Sequence, residues 1–350
     1  MSDNEIEELM QKFVNQKEKM VDESIAGFVN CYKNTVERLE CERSLKYSQA
    51  PIREKVGIVT GGGWGHDPAF MGYLGKNMLD AVAIGNTFSP PSAEAFAAAF
   101  RAADAGRGVV CLFGNFPQDI ASVNAAVSLV SKEGIVVKTI ISNDDVAETD
   151  QSKRRGATGE VLLWKIAGAA AALRYSLEDV VLVCQRALDN MRTIAVGLAS
   201  CIIPEIGRPN YLIERGTMEI GVSHHGLMSK ETCKLRSAQE TAEIMLANLL
   251  QSITLTSGDD VLVMLSGLGN TMLSELYILY NHVEDALRDR DINIYRSMAG
   301  NYFTSLDMMG ATLTILRLDS ELKELIELPA FPAAFDQFSS GWSQKTESIQ

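Results

Sequence analysis

The sequence predicts an α/β protein of two α/β domains, each a mostly parallel or mixed sheet flanked by helices, with the active site between them. Two observations predict the sheets. Short apolar, β-branched runs alternate with helical segments from Lys55 to Ile141 and again from Asp259 to Leu318, the order that builds open, largely parallel sheets. The runs stop at polar or glycine-rich loops, and in such sheets ligands sit beyond the carboxyl ends of the strands. A third observation predicts the site. The chain has four histidines; His66 closes Gly61-Gly62-Gly63-Trp64-Gly65-His66, and His224 and His225 stand between Val222-Ser223 and Gly226. Glycine leaves bare backbone beside an imidazole, which is suited to proton transfer near neutral pH and to nucleophilic attack. The placement predicts one polar pocket for a small substrate.

In chain order, residues 5–40 carry apolar positions at helical spacing (Ile6, Leu9, Met10, Phe13, Val14, then Phe28, Val29, Tyr32) and predict two amphipathic helices. Lys55 to Thr60 is a buried strand that the glycine cluster ends. Val82 to Ile84 is a strand, Ser92 to Ala105 a helix capped by Ser92, and Gly108 to Phe113 a strand ending in the loop Gly114 to Asp119. A helix over 120–132 and a strand from Gly134 to Ile141 follow. The loops 61–66 and 114–119 both lie at strand ends and face one crevice. Ile166 to Leu173 reads as a core helix. Leu177 to Ala195 is helical, and Ala195 to Ile203 is an apolar stretch with strand character. Met218 to Val222 leads into the histidine pair. Ser237 to Ile253 and Met272 to Arg288 are helices; Asp259 to Leu265, Ile292 to Met298 and Thr312 to Leu318 are strands. Expected domains are 1–190, carrying the glycine-rich loop and Asp119, and 191–336, carrying His225, with a frayed tail over 337–350.

Composition excludes several function classes. The 46% hydrophobic and 22% charged shares are ordinary for a globular protein. A net charge of −13 argues against nucleic acid as a main partner, since phosphate backbones demand clustered Lys and Arg. Lys153-Arg154-Arg155 is a basic run of the kind that closes a loop. The six cysteines form no Cys-x-x-Cys pair and read as buried free thiols of a reducing cytoplasm, with no metal site. The acidic start Met1 to Glu8 is no signal peptide, and no apolar run is long enough to span a membrane.

The loop Gly61 to His66 lacks the lysine and hydroxyl of a phosphate-binding loop. It reads as a tight turn or a ligand loop, and the imidazole favours the second. Asp119 reads as an N-cap or as a carboxylate facing the crevice. In an extended segment successive side chains alternate, so one ring of the pair 224–225 would enter a pocket and the other pack elsewhere. His282 reads as a surface residue. Gly267-Leu268-Gly269 reads as a packed turn or an anion nest.

These segments also resemble the substrate-binding subunit of dihydroxyacetone kinase, from about residue 20 to 335. Gly61 to Pro68 is similar to that family's Gly-Gly-Gly-Ser-Gly-His-Glu-Pro, and Asn115 to Asp119 to its Asn-Tyr-Thr-Gly-Asp. Met218 to Gly226 fits its Met-Glu-(apolar)-Gly-x-Gly-Ile-His-Gly. Gly72 to Leu79, Asp144 to Ala147, Arg154 to Gly156, Leu273 to Tyr277 and Thr304 to Met308 recur in register. The resemblance implies that His225 forms a covalent hemiaminal with the ketone carbon of dihydroxyacetone, with His66 the principal acid/base and Asp119 assisting. It places Gly62, Gly63, Trp64, Gly65, His66, Gly114, Asp119 and His225 around the substrate. It further implies that this chain binds no cofactor of its own. ADP or ATP with Mg would sit on a separate kinase subunit, recharged in the phosphotransferase version by a phosphocarrier. The assembly would be a cytoplasmic homodimer in contact with neither nucleic acid nor membrane. Three positions depart from the family: Trp64 replaces its Ser, Gly114 its Lys, and Leu227 its Glu. A kinase subunit for a short ketose and a ketose-binding coactivator of a transcription regulator both fit this pattern.

Overall fold

The computed structural model describes residues 12–334 except 42, 205, 210 and 226–228. The N-terminal strands are β1 (Val36–Arg38), β2 (Ser44–Tyr47), β3 (Gly57–Trp64), β4 (Gly75–Lys76), β5 (Ala81–Thr87), β6 (Val109–Gly114) and β7 (Val137–Ser142). All but β4 form one six-stranded sheet in the order β1-β2-β5-β3-β6-β7. β5, β3, β6 and β7 run parallel, with β2 and β1 antiparallel at one edge. The strands β8 (Met191–Ala199), β9 (Ile202–Ile203), β10 (Arg208–Pro209), β11 (Thr217–Ile220), β12 (Glu231–Lys234), β13 (Asp260–Gly267), β14 (Asn293–Gly300), β15 (Met309–Arg317) and β16 (Phe331–Pro332) follow. A second six-stranded sheet has the order β12-β11-β8-β15-β13-β14. Its β13–β14 pair is parallel and its other pairs antiparallel. β9 pairs with β10, and β16 crosses back to β4 in the N-terminal half.

Alternation along the first sheet explains its two faces. Val59, Ala81, Ala83, Val109, Cys111 and Phe113 pack against the helices Ala93–Ala103 and Pro117–Ser131. Ile58, Val82, Ile84, Val110 and Leu112 face the other way, into a cluster with the helices Glu160–Ala172 and Leu177–Asp189. That cluster also takes in Leu262, Met264, Met298 and Leu316 of the second sheet. The helix Glu160–Ala172 is thus a shared middle layer, buried from Glu160 to Ala171. This is why its sequence beyond Glu160 is apolar on every side apart from Lys165, whose ammonium donates to the Leu325 carbonyl at 2.6 Å. The helices Ala238–Leu250 and Leu273–Arg288 cover the opposite face of the second sheet.

Several expectations need correction. The glycine cluster does not end the first long strand: β3 continues through Gly61, Gly62 and Gly63, paired with Ala83, Ile84 and Gly85. Glycine is required there by close approach rather than by a turn. A Cβ at Gly61 would lie 2.7 Å from the Phe96 ring, one at Gly62 would overlap the Phe70 ring, and one at Gly63 would lie 2.6 Å from the Ser89 nitrogen. Residues 12–16 are irregular, one helix spans Met20–Cys31, and Val36–Arg38 is a strand because it pairs with β2. The helix from Leu177 stops at Asp189, since Met191 onward pairs with β15. Ile6, Leu9, Met10, Gly226, Leu227 and the tail 337–350 lie outside the described residues. Of the cysteines, Cys111, Cys184 and Cys201 are buried, Cys41 and Cys233 half-buried, and Cys31 exposed rather than buried; all are free thiols. Among the described residues no helix is long and apolar enough to cross a membrane, and no cluster of His, Cys, Asp and Glu side chains stands ready for a metal ion.

Candidate active site

The carboxyl ends of β3 and β6 open onto a cavity of about 340 Å³. Gly61, Gly62 and Gly63 at the end of β3 and His66 just beyond it line one side, and Gly114 at the end of β6, Phe116, and Pro117, Gln118 and Asp119 of the following helix line the next. His224 and His225 reach it from the segment after β11, and Glu160 from the start of the middle-layer helix. The segments around 61–66 and 114–119 therefore share one crevice, and the C-terminal half supplies its other wall.

His66 is set by its neighbours on both sides. Gly65 takes φ +116, a conformation L side chains rarely adopt, and so turns the chain sharply out of β3. Thr304 then clamps the turn: its N–H donates to the His66 carbonyl at 3.2 Å and its hydroxyl to the Asp67 carbonyl at 2.8 Å. The Thr304 carbonyl lies 2.8 Å from His66 Nδ1. A carbonyl only accepts, so Nδ1 carries the hydrogen and Nε2 of the neutral ring is bare. Across from it, 3.2 Å away, is His225 Nε2. A bare nitrogen accepts, so His225 is the donor of this pair, with its hydrogen on Nε2.

Aromatic walls surround these rings. Phe88 stacks on His66 at 5.0 Å between centroids, Phe303 stands at 5.1 Å, and Phe88 and Phe116 flank His225 at 5.1 and 5.2 Å. Burial among them disfavours the charged imidazolium. Burial, helped by the neighbouring histidines, holds His66 well below the ordinary histidine value. Burial and the Arg155 charge bring His225 down to about 4. Burial, His225 and Arg155 bring His224 down to about 3. All three rings are neutral at neutral pH.

Both rings of the vicinal pair line the cavity, contrary to the expected alternation. The segment is a turn rather than a strand, held by the His225 N–H donating to Ser223 Oγ at 3.3 Å. His224 is nevertheless the packed member: its Nε2 is 3.0 Å from Thr158 Oγ1, which in turn meets Thr312 Oγ1 at 2.7 Å.

Asp119 is not an N-cap. Phe116 holds that position without a side-chain bond, Pro117 opens the helix, and Asp119 falls in the first turn. The ring of proline pre-sets the helical φ and needs no partner for a missing N–H. This frees the Asp119 carboxylate to line the cavity, where burial pushes it up to about 7.

Of the sequence-derived site residues, Gly62, Gly63, His66, Gly114, Asp119 and His225 line the cavity. Trp64 and Gly65 do not. The Trp64 indole lies in the core cluster with Met20, Val21 and Ile25, and its Nε1–H donates to Ser24 Oγ at 3.2 Å. Gly65 acts through its turn. Lys153-Arg154-Arg155 closes a loop. Arg154 Nε donates to the Glu148 carbonyl at 2.9 Å, and Arg155 pairs with Asp145 at 2.7 Å. Gly269, at φ +127, packs against the 304–308 turn, and a Cβ there would lie 3.2 Å from the Ser305 carbonyl. His282 is half-buried. Sequence reasoning missed Glu160, Phe88, Phe116 and Phe303. Glu160 alone left a trace, a charged residue opening a helix whose remaining residues are apolar except Lys165.

A family model described as the Dak1 domain matches residues 26–334. The chain is 32% identical to "PTS-dependent dihydroxyacetone kinase 2, dihydroxyacetone-binding subunit DhaK" of Listeria innocua, over 91% of this chain and 97% of that one. Its structure is similar to that of the "Dihydroxyacetone kinase operon co-activator Dha-DhaQ", with TM-score 0.83 and 28% identity over 88% of this chain and 96% of that one. It is also similar to the dihydroxyacetone kinase of C. freundii in complex with AMP-PNP and Mg2+, with TM-score 0.84 and 26% identity over 93% of this chain and 61% of that one. By sequence and by architecture, the chain belongs to the Dak1 domain family, that of the dihydroxyacetone-binding kinase subunits.

Proposed function

We propose that the chain holds a short ketose as a hemiaminal on His225 and presents a hydroxyl of it for phosphorylation by a nucleotide-bearing partner subunit. The 3.2 Å approach of His225 Nε2 to His66 Nε2, in a cavity that also holds Asp119, carries this reading. As His225 Nε2 adds to the ketone carbon, its hydrogen passes to the bare His66 Nε2. The N–C bond forms, the C=O π bond breaks, and the alkoxide takes the proton back from His66. The resulting imidazolium of His66 is a strong acid in its apolar surroundings, so it returns the proton readily. Glycerol offers no carbonyl to this step, and covalency thereby selects ketones over polyols.

Covalent capture holds the terminal hydroxyl in place, which makes its deprotonation effectively intramolecular. We assign that step to Asp119. A base titrating near 7 suits work at neutral pH, whereas His66 lies too low. This reverses the ranking that the sequence resemblance implies. Gly62, Gly63 and Gly114 keep the backbone open beside the substrate.

The nucleotide and Mg belong on a separate subunit in this reading. The C. freundii enzyme, of which this chain spans 61%, is the relative seen with AMP-PNP and Mg2+. Phosphotransferase-system dependence follows the Listeria relative's name. A cytoplasmic homodimer, with domains at 1–190 and 191–336, completes the proposal; the strand order of the two sheets fits that division. The likeness to the co-activator favours a second reading, in which the ketone is captured but its occupancy is passed to a regulator.

Carbon-13 NMR with ketose labelled at the carbonyl carbon tests the capture. A protein-bound tetrahedral resonance, distinct from that of the free ketose hydrate, is expected with the intact protein and not with His225→Ala; its retention in the variant refutes the assignment. Adding the nucleotide subunit and a phosphoryl source separates the two readings, since adduct without transfer leaves the regulator.

A further inference from the structure

Glu160 is a buried carboxyl in this cavity that the proposed chemistry does not use. It lines the same space as His66, Asp119 and His225. The residue is 3% exposed, and its Oε2 is buried with no hydrogen-bond partner among the described residues. Burying a polar oxygen unpaired is costly and asks for an explanation. The terminal torsion of a glutamate is broad, so its two oxygens exchange positions at small cost.

The surrounding backbone is shaped for this side chain. A Cβ at Gly114 would lie 2.8 Å from Glu160 Oε1, and one at Gly156 would overlap the same oxygen. Two glycines from separate segments thus make room for the carboxyl beside the substrate loop. Burial, reinforced by Asp144 and Asp119, raises its pKa well above the ordinary glutamate value. The group is then an uncharged acid, offering one O–H donor and one acceptor oxygen. The nearby carboxylates of Asp119 and Asp144 disfavour an anionic ligand at this end of the cavity. The guanidinium of Arg155 is already paired with Asp145 at 2.7 Å.

We infer that Glu160 is a specificity-determining residue that hydrogen-bonds a hydroxyl of the bound substrate and so tunes the cavity to neutral hydroxyketones. The inference deepens the proposed function and rests on ketone capture by His225. A site with a waiting polar partner penalises an analogue that lacks the matching hydroxyl, because the partner stays unpaired.

The test measures half-saturation of the full-length protein by dihydroxyacetone and by butanone, a ketone of similar size without hydroxyls. Wild type, Glu160→Gln and Glu160→Met are compared. Glutamine keeps a donor and an acceptor, so its preference for dihydroxyacetone should match wild type within about threefold. Methionine should lower that preference by about tenfold or more while still forming the butanone adduct. A preference unchanged in Glu160→Met, or lost equally in Glu160→Gln, overturns the inference and leaves the His225 reading intact. A wild type that captures neither ketone overturns the His225 reading and this inference with it. Infrared difference spectra of the wild type give a check that does not depend on folding of the Met variant. A protonated-carboxyl band absent from Glu160→Gln should shift with dihydroxyacetone and not with butanone; a band that ignores dihydroxyacetone overturns the inference.

Discussion

Ketone capture and phosphoryl transfer should respond differently to acid. Transfer uses Asp119 as a carboxylate, and burial has pushed that group up to about 7. One pH unit above this value about nine-tenths of it is ionised, and one unit below about one-tenth. The transfer rate should therefore fall about tenfold between roughly pH 8 and 6. Capture requires His225 to be neutral, and its value of about 4 keeps it so over the whole of that range. Adduct occupancy should accordingly stay level until about pH 5, where the ring begins to protonate. Asp119→Asn should cut the transfer rate by about 10²–10⁴-fold and flatten its pH profile, with the adduct preserved. The assay pairs carbon-13 NMR of the adduct with coupled-enzyme detection of the phosphorylated ketose, in one buffer series with the nucleotide subunit saturating. A transfer rate level from pH 8 to 6, or occupancy falling in parallel with it, would refute the division of labour between the two residues.

The glycines of β3 and the tryptophan beside them give two further tests. In Gly62→Ala the three nearest atoms to the new Cβ all belong to the Phe70 ring, the farthest at 3.0 Å. That ring is held by Trp164 and Phe303 at 5.6 Å each and cannot simply retreat. Urea unfolding should show a loss of about 1–3 kcal/mol, and an unchanged midpoint would contradict the packing described. Trp64→Phe should lower stability by about 0.5–3 kcal/mol through the lost volume and the orphaned Ser24 hydroxyl. Its half-saturation by dihydroxyacetone should stay within about twofold of wild type; a larger change would place the indole at the substrate after all.

The sequence carried the α/β class, the rhythm of the first sheet and the identity of the crevice, because these depend on local signals. The apolar runs marked strands with both faces covered, as at Val109 to Phe113. His66, Asp119 and His225 could be picked out by residue type, by position at strand ends and by motif register. The strand or turn character of the triple glycine was not legible, since Phe96, Phe70 and the Phe88–Ser89 backbone that demand glycine there come from elsewhere in the chain. The same holds for the paired histidines, whose common direction depends on a turn closed by Ser223.

What the sequence by itself determined was which residues stand at the ends of which strands. Tertiary structure alone decided what those residues became. The Thr304 carbonyl sets the tautomer of His66 from 238 residues away, and phenylalanines of both halves keep the three imidazoles uncharged. Trp64 was turned into the core, and Glu160 was brought into the cavity from the middle layer. The physical reason is that proton affinity and packing follow from the medium around a side chain, and here that medium is assembled from segments far apart in the chain.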